Sequence, residues 1–187
     1  MQMRCLPFSK NEWFTRVWVF QELIFASNPW VQCGRLRAKW EAMYTTLEKE
    51  LHIAPSRPRE IVSQMQQAWK DHHITHQKTA MVQLIRARRG LSVSDPRDMV
   101  FAHVGFAVDG EDEDLAVDYS KTTVEVFTDF AKYIAKYGLA ILLNFVDDNK
   151  SQRRPQDLPS WVPDLTIKLP TSPTTRLPIM DRTKFGT

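Results

Sequence analysis

Apolar residues recur at helical spacing along most of this chain. Trp13, Val17, Phe20 and Ile24 form one track, and Phe14, Trp18 and Phe25 a second. Two tracks predict a helix buried on more than one side. Ser9-Lys10-Asn11-Glu12 reads as a capping box at its start, and Asn28-Pro29 stops it. Trp30 to Cys33 is a short candidate strand ending at Gly34. Trp40, Met43, Tyr44, Leu47 and Leu51 then mark an amphipathic helix, and Pro55 and Pro58 break the chain. Ile61, Val62, Met65, Ala68 and Trp69 mark another helix. A further one runs from about Thr79 to Arg89, closed by Gly90 after a basic last turn.

Asp95-Pro96-Arg97-Asp98 predicts a helix start, with Asp95 as N-cap, Pro96 at the first helical position and Asp98 facing the positive end of the dipole. That helix carries Val100, Phe101 and Val104 and ends near Gly105. Ser120 is placed to cap the next, whose stripe is Val124, Phe127, Phe130, Ala131 and Ile134, with Gly138 at its end. Leu139 to Phe145 reads as a buried helix or a buried strand; periodicity does not choose. Beyond Lys150 the chain is rich in proline and predicts loops, with Leu158 to Leu165 docked through Trp161. The pattern gives one domain over 7–165 and a Pro-rich, mobile tail over 166–187.

The 187 residues, 43% hydrophobic and 25% charged, exclude disorder throughout and suit a globular domain. Cys5 and Cys33 form no disulfide framework. The longest apolar run, Leu139 to Leu143, is far below the ~20 residues of a membrane span. No secretory signal is apparent, so a cytoplasmic protein without membrane contact is expected.

A net charge of +3 is too small to argue for nucleic acid, and no nucleic-acid partner is expected. Arg35, Arg37 and Lys39 read as one of several solvated basic groups. His72, His73 and His76 resemble a metal cluster, yet no acid or Cys completes it at the right spacing. An exposed, polar helix end is the favoured reading, with no metal. Asp109 to Asp114 lacks the alternation of a calcium loop. No Gly-rich phosphate loop occurs, and no Ser or Cys has a recognisable His partner.

Four segments together point to one family. Trp13-Phe14-Thr15-Arg16-Val17-Trp18-Val19-Phe20-Gln21-Glu22 resembles a W-F-x-R-x-W-x-x-Q-E stretch. Asp95 to Ala102 resembles D-P-R-D-x-x-(Y/F)-A. Asp118-Tyr119-Ser120-Lys121 and Leu158-Pro159-Ser160-Trp161-Val162-Pro163-Asp164 resemble its D-Y and L-P-S-W-x-P-D segments. Their order and separations resemble the fungal heterokaryon-incompatibility (HET) domain over about Pro7 to Asp164. The family's A-L-S-Y-x-W-G and W-I-D-x-x-C-I-N-Q segments do not precede the first motif here, so the likeness is to the C-terminal part of that domain. His103 stands where the family usually has an aliphatic residue.

The resemblance implies an α/β fold related to TIR domains, here mostly helical with few short strands. It implies a role in non-self recognition, programmed cell death and innate immunity, with protein partners such as other incompatibility proteins. Exposed faces left by absent early strands would favour self-association. Some TIR domains cleave NAD with a helix-borne Glu. Arg16 to Leu23 is similar to their S-x-W-x-x-x-E-L pattern, which makes Glu22 the candidate catalytic carboxylate and Arg16 and Trp18 the candidate nucleotide-binding residues. NAD would then be a substrate, and no resident cofactor is implied. A helical Glu22 shares a face with Thr15, Trp18 and Phe25, where it would be partly desolvated. It could stabilise the oxocarbenium character of a breaking ribosyl–nicotinamide bond. The competing reading is a structural pairing of Glu22, with this chain alone inactive and serving as a non-catalytic interaction module.

Overall fold

The computed structural model describes residues 12–50, 57–145, 154–155 and 157–167. These are mostly helical, with one two-stranded antiparallel sheet. The chain divides into two compact units, Met1–Thr79 and Ala80–Thr187.

In the N-terminal unit a 3-10 turn, Glu12–Thr15, precedes helix α1, Val17–Phe25. The single helix expected from Trp13 onward is therefore interrupted. Arg16 is extended (φ −79°, ψ 135°) and takes the N-cap position without a side-chain cap. Ser9 of the expected capping box lies outside the described residues. The first apolar track enters the core through Val17, Phe20 and Ile24, joined by Val19 and Leu23; of the second only Phe14 is buried, while Trp18 is partly covered and Phe25 is exposed. Strands β1, Trp30–Cys33, and β2, Leu36–Lys39, form a hairpin around Gly34, whose φ of 60° suits glycine. Helix α2, Trp40–Glu50, follows directly. Helix α3 spans Arg57–Lys70, so Pro58 falls in its first turn rather than breaking the chain. Trp40 is buried, and its indole N–H donates to Gln66 Oε1 on α3 at 2.6 Å. That bond satisfies a polar group that burial would otherwise leave costly.

The C-terminal unit begins with α4, Met81–Arg88. Gly90 (φ 73°) follows its end, as the sequence predicts. Helix α5 is Asp98–Val104, α6 is Thr123–Tyr137 and α7 is Leu139–Leu143. Met81, Ile85, Met99, Phe127, Phe130, Tyr133, Ile134 and Phe145 make the centre of this core. Helix α6 is capped two residues later than expected. Thr122, not Ser120, accepts from the Glu125 amide, and Glu125 accepts from the Thr122 amide at 2.7 Å. The ambiguous run after Gly138 is helix as far as Leu143; Leu142 and Phe145 are buried, whereas Leu139 and Leu143 are each 68% exposed, so the run is buried on one side only.

Two buried polar groups join distant segments of this unit. The Asp109 carboxylate accepts from the Met81 amide at 2.8 Å and from the Tyr133 hydroxyl. A carboxylate from a remote loop thus caps the first turn of α4, which has no side-chain cap of its own. The Arg89 guanidinium is buried and donates to the carbonyls of Asp164, at 2.6 and 3.1 Å, and Phe145, at 2.5 Å. The Gly90 amide adds a bond to the Leu165 carbonyl at 3.2 Å. Leu158, Val162 and Leu165 are buried, whereas Trp161 is 44% exposed. This segment is docked by aliphatic side chains and by Arg89, not by Trp161 as expected.

His103 is fully buried on α5, and its Nδ1 donates to the Met99 carbonyl at 3.1 Å. Burial, with the Arg88 charge nearby, brings its pKa down to about 3. The unfolded imidazole protonates below about 6.5. Between these values the unfolded chain binds more protons, so stability falls as pH drops, by at most about 1.4 kcal/mol per unit. The urea midpoint at pH 5 is expected below that at pH 7. His103→Leu should flatten most of the difference; a residual slope would come from His72, whose pKa burial also lowers. A wild-type midpoint equal at both pH values would contradict this.

Candidate functional site

The helix-borne motif sits in the N-terminal unit. Trp18 and Glu22 lie one turn apart on α1; Trp18 is partly buried and Glu22 exposed. The carboxylate is therefore not desolvated as the sequence pattern suggested, because Phe25, its expected apolar neighbour, is itself 50% exposed. Arg16 is exposed and precedes the helix, so it does not share the helical phase of Trp18 and Glu22.

The three histidines lie around a π turn, Asp71–Thr75, that continues α3. Rather than an exposed polar helix end, His72 and His73 are partly buried against aromatic rings. His72 meets Phe25 edge-on at 5.5 Å, and His73 lies 4.9 Å from Trp69. His73 Nε2 donates to the Ile24 carbonyl at 2.7 Å, and the Trp69 indole to the Ala26 carbonyl at 2.9 Å. These donors satisfy carbonyls at the end of α1 that helical geometry leaves open. Among the described residues no group of three His, Cys, Asp or Glu side chains could hold a metal ion.

Two of the other motif segments meet in the C-terminal unit. Asp95 is not a side-chain N-cap of α5. The helix begins later, at Asp98, and Asp95 Oδ1 accepts from the Arg97 amide at 3.0 Å. The Arg97 side chain forks onto Asp95 through Nε and Nη2, the shortest contact being 2.6 Å. Its Nη1 donates to the carbonyls of Tyr119 at 2.6 Å and Lys121 at 2.9 Å. The Tyr119 hydroxyl returns to Asp98 Oδ1 at 2.7 Å, while its ring stands edge-on to Phe101 at 4.9 Å and beneath Arg97. D-P-R-D and D-Y-S-K thus form one interlocked cluster.

The charges in this cluster are tuned for holding. The Arg97 hydrogen bond keeps the Asp95 carboxyl below its usual range. Tyr119 has an exposed ring, but its hydroxyl end loses water and faces a carboxylate, which pushes the phenol up to about 12. It remains a donor at neutral pH. Most N–H groups of Arg97 are spent on Asp95 and two carbonyls, which suits positioning a loop better than gripping a ligand.

Sequence reading located Asp95, Arg97 and Asp98 but treated the two acids as local caps. The Tyr119 bond crosses 21 residues and has no local signature. The grip of Arg89 was likewise missed; only its place in the basic last turn of a helix was visible. No family model matches this chain, and neither the curated proteins nor the solved structures provide a match.

Proposed function

We propose that this chain is the C-terminal part of a HET-type, TIR-related domain, acting in fungal non-self recognition and the cell death that follows it. The observation that carries the reading is the interlock of Asp95, Arg97 and Asp98 with Tyr119. Two of the four motif segments that resemble one family by order and spacing are also joined physically, which is expected if they are parts of one ancestral domain. Function drawn from such a likeness is associational, and a phenotype must test it.

The test is induced expression of the whole chain in a filamentous fungus. Growth arrest and loss of viability are expected; normal growth at the same protein level as a toxic control would reject the role. Glu22→Ala separates two mechanisms. If α1 carries a TIR-like NAD-cleaving carboxylate, the variant loses both toxicity and nicotinamide release while folding normally. If the chain acts as an interaction module, toxicity survives and NAD is not consumed. The second mechanism has an observation in its favour: Leu139 and Leu143, one turn apart on α7, are both largely exposed and offer apolar contact to a protein partner.

A further inference from the structure

The hairpin of the N-terminal unit has a face that none of the motifs uses. Register pairs Trp30 with Lys39 and Gln32 with Arg37. Side chains alternate across a strand, so these four residues share one face. All four are exposed; on the other face Val31 and Ala38 are partly covered, and Cys33 and Leu36 are exposed. Arg35, in the turn that joins the strands, is exposed as well. No acidic residue occurs between Trp30 and Lys39. Among the described residues no carboxylate forms an ion pair with Arg35, Arg37 or Lys39. The Trp30 ring is 45% exposed, with the Arg37 guanidinium carbon 4.4 Å and Lys39 Nζ 5.9 Å from its centroid.

We propose that this face binds single-stranded nucleic acid, with Trp30 stacking a base and Arg35, Arg37 and Lys39 meeting successive phosphates. Cations two residues apart on a strand are spaced by about 6.7 Å. That is comparable to the step between phosphates of an extended single strand. An exposed indole among unpaired cations is the other requirement, because every base offers a π face to it. The cation–π contact of Arg37 is weak at an exposed site, so the guanidinium can swing to a phosphate as a base takes its place. A duplex keeps its bases inside and cannot use Trp30. An acidic peptide could meet the cations, but it offers no ring for the indole. The modest charge of the whole chain hides this local concentration, which the sequence pattern presented as one solvated group among several.

The test uses the full chain and short fluorescein-labelled oligo(dT) and oligo(U), read by anisotropy. Three phosphates neutralised on a single strand give a slope of log affinity against log salt of about −2, so affinity should fall about twentyfold between about 50 and 200 mM salt. Trp30→Ala should weaken binding on the order of tenfold and keep the slope. Arg37→Gln combined with Lys39→Gln should flatten the slope to about −0.7, leaving one cation. Circular dichroism should be unchanged in both variants, since the altered side chains are exposed. Absence of binding, or binding that ignores both sets of substitutions, would overturn the proposal. So would a duplex binding as tightly as the single strand. Poly-glutamate binding with the same dependence on Trp30 would assign the face to an acidic protein partner instead.

Discussion

Gly110→Ala should destabilise the C-terminal unit by about 2–6 kcal/mol. A Cβ at this position would lie 2.0 Å from the Val104 carbonyl oxygen and 3.0 Å from its carbon. Both atoms are backbone at the last residue of α5, so no side chain can rotate away. Relief requires the loop to retreat, and the residue before Gly110 is Asp109, which holds the first turn of α4 and the Tyr133 hydroxyl. Overpacking alone costs about 1–3 kcal/mol. Displacing a buried carboxylate from two donors adds about 1–3 kcal/mol. Against a typical stability of about 5–15 kcal/mol, the variant should melt early and over a broad range. Gly105 provides the control. It is exposed with φ −64°, so Gly105→Ala should change the melting temperature little. A Gly110→Ala variant that melts like wild type would mean that the loop is not pressed against α5.

Arg89→Met is expected to be the next most damaging change. Methionine keeps much of the volume, yet it withdraws the donors that reach the carbonyls of Asp164 and Phe145. Each buried carbonyl left without its donor costs about 1–3 kcal/mol, so the total should be about 2–5 kcal/mol. Arg89→Lys should recover little, because an ammonium cannot span two carbonyls as a planar guanidinium does. Urea unfolding gives the energy, and limited proteolysis gives the place. Faster cleavage within 157–167 at unchanged rates elsewhere is expected. An unfolding free energy within about 0.5 kcal/mol of wild type, the range of an ordinary surface change, would show that the grip is dispensable.

Elements whose signals are local were legible in the sequence. The apolar stripe of α6, the strand at Trp30–Cys33 and the glycine closing α4 all stand where the pattern places them. Strand β2 was not visible, since Leu-Arg-Ala-Lys alternates over only four residues with one large apolar side chain and depends on pairing with β1. The interruption at Arg16 was hidden because a 3-10 turn followed by a helix keeps apolar residues at nearly helical spacing. The cap moved from Ser120 to Thr122 for a reason present in the residues: Ser120 instead donates to Asp118 at 2.7 Å, and only Thr122 has a Glu three residues on. Trp161 misled because size was taken for anchoring, whereas smaller neighbours fill the core and leave the indole outside. At the candidate site, Glu22 and Trp18 share a face as helical spacing requires, but how far water reaches them depends on partners that spacing does not name.

The clasp of Arg89 also sets a timetable for synthesis. Its acceptor at Asp164 lies 75 residues further along the chain. A ribosome adding about 5–20 residues per second needs roughly 4–15 s to supply it. During that interval the guanidinium lacks the Asp164 carbonyl, and the pocket for Leu158, Val162 and Leu165 stands open. The helices of the C-terminal unit can collapse early, but closure must wait for the last described segment. A nascent chain stalled before Leu158 should thus leave uncovered the apolar surface against which Leu158, Val162 and Leu165 are buried.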